Sequence, residues 1–118
     1  MESSLVVLLL THSILKNEEH QMWLADFQSA QRTYQEYVTL VRITYQNEPD
    51  ILRALGIDQP VPENKQKWLE RARLFYAHIP AYNALLDQKF GLKLEVWAQA
   101  LMEIHTLITT YNASMSAQ

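Results

Sequence analysis

The chain has 118 residues, 48% hydrophobic and 19% charged, a balance that argues against disorder and supports one globular domain over 1–118. It contains no cysteine, which excludes disulfides, thiolate metal sites and cysteine nucleophiles, and its formal net charge of −3 lacks the basic surplus of a nucleic-acid binder. Its 2 glycines and 4 prolines are too few to punctuate a strand-and-turn fold, so helices are favoured.

The first predicted helix covers about 3–15, with Glu2, Ser3 and Ser4 supplying acidic and capping groups at its start. It carries the run Leu5-Val6-Val7-Leu8-Leu9-Leu10, with apolar character resuming at Ile14-Leu15. The flanks do not fit a secretory signal: the chain opens Met-Glu-Ser-Ser, and Lys16-Asn17-Glu18-Glu19 follows where a small-residue cleavage site would stand. The run is about half the roughly 20 apolar residues of a membrane span. A buried helix or an oligomer interface through Leu5, Val6, Leu8 and Leu9 is therefore expected, with no membrane partner. Asn17 ahead of Glu18-Glu19 has the form of an N-cap with an acidic first turn, so a second helix is expected to begin there.

That second helix, expected to reach residue 46, has its apolar residues at Trp23, Phe27, Ala30, Tyr34, Tyr37 and Val41. The steps alternate four and three, the period of a seam between packed helices. Asn47 and Pro49 then suit the start of a short helix through Ile51-Leu55, which Gly56 stops. The stretch Asp58-Gln59-Pro60-Val61-Pro62 is a loop. A third helix, starting near Pro62-Glu63, repeats the seam period at Trp68, Ala72, Phe75, Ile79, Tyr82 and Leu86. Pro80 falls inside that stripe and predicts a kink, since proline removes a backbone donor and crowds the preceding turn. Gly91 ends it. A fourth helix over 93–113 places Trp97, Leu101, Ile104, Ile108, Tyr111 and Met115 on one side. The expected fold is all-α: an antiparallel up-and-down bundle of about four helices with a kink near Pro80.

Gln21-Met22-Trp23-Leu24 returns 45 residues later as Gln66-Lys67-Trp68-Leu69. Two helices with one seam period and many aromatics explain most of that echo, and a duplication would imply pseudo-symmetry without chemistry.

Catalytic patterns are missing. No histidine of His12, His20, His78 and His105 has a glutamate three residues before it, and His-x-x-x-His is absent, so no metal or cofactor is expected; His12, His105 and Glu103 are the weak remaining combination. Glu18-Glu19 and Glu48 with Asp50 are read as helix-start groups. No nucleophile elbow or glycine-rich phosphate loop occurs. Lys65, Lys67, Arg71 and Arg73, interleaved with Glu63 and Glu70, form a solvated charged face with Glu63 and Lys67 an i,i+4 pair. The expectation is a non-catalytic, cytoplasmic helical bundle that self-associates or binds another protein. The alternative is a bundle holding a small hydrophobic or aromatic ligand among Tyr34, Tyr37, Tyr82 and Trp97, because bulky rings on a seam can leave a pocket.

Overall fold

In the computed structural model the backbone is described for residues 2–116 and the side chains for residues 18–113. Every element is helical: α1 (Glu2–Thr44), α2 (Pro49–Ala54), α3 (Lys65–His78), a 3-10 turn (Ile79–Tyr82), α4 (Asn83–Phe90) and α5 (Leu94–Ser116).

The expected break at Asn17 does not occur. One helix of 43 residues runs from Glu2 to Thr44, a length of about 64 Å. Residues 16–19 contain no glycine or proline, and lysine and glutamate are good helix formers. Asn17 alone costs the helix less than about 1 kcal/mol, too little to interrupt it. Glu18 and Glu19 therefore lie inside a helix, exposed on its surface, and are not first-turn groups.

The short elements end as their residues dictate. Glu48 occupies the cap position of α2 without a side-chain cap, so Asn47 does not cap it, and Pro49 follows in the first turn. At the other end, Ile57 N–H donates to Leu52 O and Gly56 N–H to Arg53 O, both at 3.0 Å. This paired closure needs a left-handed residue, and Gly56 supplies it at φ +72°. Helix α3 starts slightly later than expected, where the Asn64 side chain accepts the Lys67 N–H at 3.0 Å. Pro80 converts one turn to 3-10 geometry, and α4 resumes from Asn83 with Leu86 still fully buried.

Ring contacts fix the direction of each helix. Trp23 meets Tyr111 and Tyr37 meets Trp97, so α5 runs antiparallel to α1. Phe27 meets Trp68, Tyr34 meets Phe75 and Tyr45 meets Tyr82, so α3 runs parallel to α1. The up-and-down order thus holds for α5 against both neighbours. Between α1 and α3 the segment 45–64 carries the chain back along the bundle, long enough because it includes α2.

The core is the two seams read from the sequence, from Trp23 to Val41 and from Trp68 to Leu86, closed by α5. The buried line on α5 is Trp97, Ala100, Ile104 and Leu107, whereas Leu101, Ile108 and Tyr111 are half-buried beside it. Tyr45, Leu55 and Ile57 extend the core beneath α2. The molecule measures 69 × 25 × 17 Å, with a radius of gyration of 18.7 Å, against about 13.5 Å for a compact chain of this length.

Candidate functional site

The elongation comes from α1. At Trp23 the indole Nε1 donates to Leu107 O at 3.1 Å, and its ring lies 5.4 Å from that of Tyr111. From there α1 continues 21 residues to Glu2, about 31 Å, whereas α5 ends five residues past Tyr111, about 8 Å on. Roughly 24 Å of α1 therefore stands clear of the end of the bundle. Glu18 through Met22, at its base, are all exposed, Met22 by 67%. The backbone of Leu5, Val6, Leu8 and Leu9 belongs to this projecting length; their side chains lie outside the described residues. Helical continuity through 16–19 is what carries the apolar run away from the other helices.

The aromatic candidates divide. Tyr34, Tyr37 and Trp97 come together at the bundle's middle. The Tyr37 ring sits 4.9 Å from Trp97, and Tyr34 lies edge-on to Phe75 at 5.3 Å and to Tyr76 at 6.1 Å. Tyr34 and Trp97 are buried, and rings occupy the space between the helices. Burial raises the Tyr34 and Tyr76 phenols above the ordinary tyrosine value, for Tyr76 far above it. Tyr82 is elsewhere, at the end of the 3-10 turn, where its carbonyl accepts the Tyr45 hydroxyl at 2.6 Å.

The four basic residues of α3 do not form one patch. The Lys65 ammonium sits 6.0 Å over the Trp23 ring, and Lys67 is exposed. Arg71 turns toward the chain after α2, donating to Gln59 O and Pro60 O at 3.2 Å each. Arg73 grips Glu70 with two hydrogen bonds of 3.1 and 2.5 Å and holds its carboxyl below the usual range. The ion pair here is Glu70–Arg73, not Glu63–Lys67. The chain has no match among protein-family models, curated proteins or solved structures.

His20, His78 and His105 are exposed, as is Glu103. His12 lies on the projecting length of α1, about 16 Å beyond Trp23 along the helix axis, with its side chain outside the described residues. His105 lies on the other side of Leu107, toward the bundle's middle, so α1 carries His12 away from it. Among the described residues no three metal-ligating side chains converge, and no helix is long and apolar enough to cross a membrane.

Two features escaped the sequence reading. Asn83, buried at 7% exposure, accepts the Trp97 indole N–H at 2.5 Å and donates to Leu92 O at 3.0 Å, locking the corner between α4 and α5. Arg42, half-buried beside the α1 seam, donates to Ile57 O at 3.1 Å. Neither partner is near in sequence, so no local pattern announced either bond.

Proposed function

We propose that this chain is a non-catalytic helical-bundle module that self-associates through the N-terminal length of α1, in a cytoplasmic setting consistent with its lack of cysteine. One observation carries the reading: about 24 Å of α1 projects past the bundle, and the sequence there is Leu5-Val6-Val7-Leu8-Leu9-Leu10. A helix apolar on every side belongs in a core or an interface. A partner helix of the same composition satisfies it, and two copies of the projecting length offer each other matching surfaces, as closed two-fold symmetry requires.

The aromatic middle of the bundle supports packing over ligand capture. Its rings touch at distances typical of favourable edge-on pairs, and among the described residues no buried side-chain polar atom lacks a partner.

The absence of cysteine makes the test direct. A Thr11→Cys variant carries a single thiol for a spin label on the projecting helix. Self-association produces a resolved label-to-label distance between copies, abolished by dilution with unlabelled chain. Labels that show no coupling at micromolar concentration would refute the reading.

A further inference from the structure

A shallow, open hollow lies between the end of α1, the short α2 and the segment after it. It holds about 510 Å³ and is lined by two arginines, Arg42 and Arg53, with Pro49, Leu52 and Ile57 as an apolar wall and Asp58 at its side. Arg42 is half-buried and held in place by its bond to Ile57 O, a neutral acceptor. Among the described residues it takes part in no ion pair. Arg53 touches only Asp50, at 3.5 Å, with both side chains largely exposed. Such a contact contributes little and exchanges readily. Asp58 pairs with neither arginine.

Two arginine side chains on one hollow give an anion two cationic partners. Their planar forks match a carboxylate. The lining sums to one net positive charge, and Asp50 against Arg53 offsets it, so the surroundings suit a monoanion better than a doubly charged phosphate. Pro49, exposed, and Leu52, half-buried, supply contact for a hydrocarbon body. We propose that this hollow binds a small monocarboxylate with an apolar body, its carboxylate held by Arg42 and Arg53 and its body against Pro49 and Leu52. This site is separate from the projecting helix and stands or falls independently of self-association.

Titration with phenylacetate and with its neutral amide, phenylacetamide, followed by backbone amide NMR, tests the assignment. Phenylacetate shifts residues 49–58 saturably, and phenylacetamide binds about tenfold more weakly or worse, as the loss of a charge-assisted hydrogen bond requires. Arg53→Gln, at an exposed position, leaves the rest of the spectrum in place and weakens phenylacetate by about tenfold. Arg42→Lys, which keeps the charge and removes the fork, weakens it as well. No saturable shift in 49–58, equal binding of acid and amide, or unchanged affinity in Arg53→Gln would each overturn the assignment.

Discussion

At the scale of single residues, Asn83 shows how a polar side chain specifies a core. It satisfies the indole N–H of Trp97 and the carbonyl of Leu92 together, so α4 and α5 meet in one way. Asn83→Ala strands the buried indole N–H of Trp97 and leaves the half-buried Leu92 carbonyl to water. The expected loss is about 1–3 kcal/mol, the cost of one stranded buried group, measured by urea unfolding with tryptophan fluorescence; a change under about 0.5 kcal/mol would contradict the network. The buried phenols give a second expectation. Tyr34 and Tyr76 have raised values because burial penalises the phenolate. Their contribution is complete below the ordinary phenol value of about 10. It is lost as pH rises above that, because the unfolded chain releases protons the folded chain retains. Stability should fall above about pH 10, with tyrosinate absorbance for these two appearing together with loss of helix by circular dichroism. Six tyrosines ionising together around the ordinary value, with the helices intact, would refute their burial. Neither Asn83 nor Arg42 was legible in the sequence, because each bond depends on where a distant turn places its partner.

At the scale of elements, the seams were legible where large and polar residues alternate sharply. Trp68, Ala72, Phe75, Ile79 and Leu86 are all buried as their spacing predicts, and the phase survives Pro80 because the 3-10 turn keeps the chain helical. Helix α5 was harder. Leu101, Ile108 and Tyr111 flank Ala100 and Leu107, so its apolar band is wide, and only packing selects the line with the small Ala100 against its neighbours. The cap signal at Asn17 misled because a cap is worth about 1 kcal/mol and competes with uninterrupted backbone hydrogen bonding. Its outcome decides where the apolar run goes. Asn17→Pro forces the break: proline costs a helix interior about 3 kcal/mol but is tolerated as the first residue of the helix that follows. The seam from Trp23 onward should keep its urea stability within about 0.5 kcal/mol, measured at dilute concentration, while association weakens. A fall of several kcal/mol would mean that residues 2–16 fold back onto the bundle.

At the scale of the whole molecule, the bundle closes its own seams and leaves the 69 Å long axis to α1. In the proposed self-association, the apolar sequence of the projecting length meets a second copy of matching composition. Replacing Leu8 and Leu9 with glutamate, a good helix former, changes that surface without breaking α1. Sedimentation equilibrium over the micromolar range is the direct measurement. The native chain should sediment at twice its 13.8 kDa mass or more, and the Leu8→Glu, Leu9→Glu variant at 13.8 kDa. A native chain that stays at 13.8 kDa throughout would contradict the account.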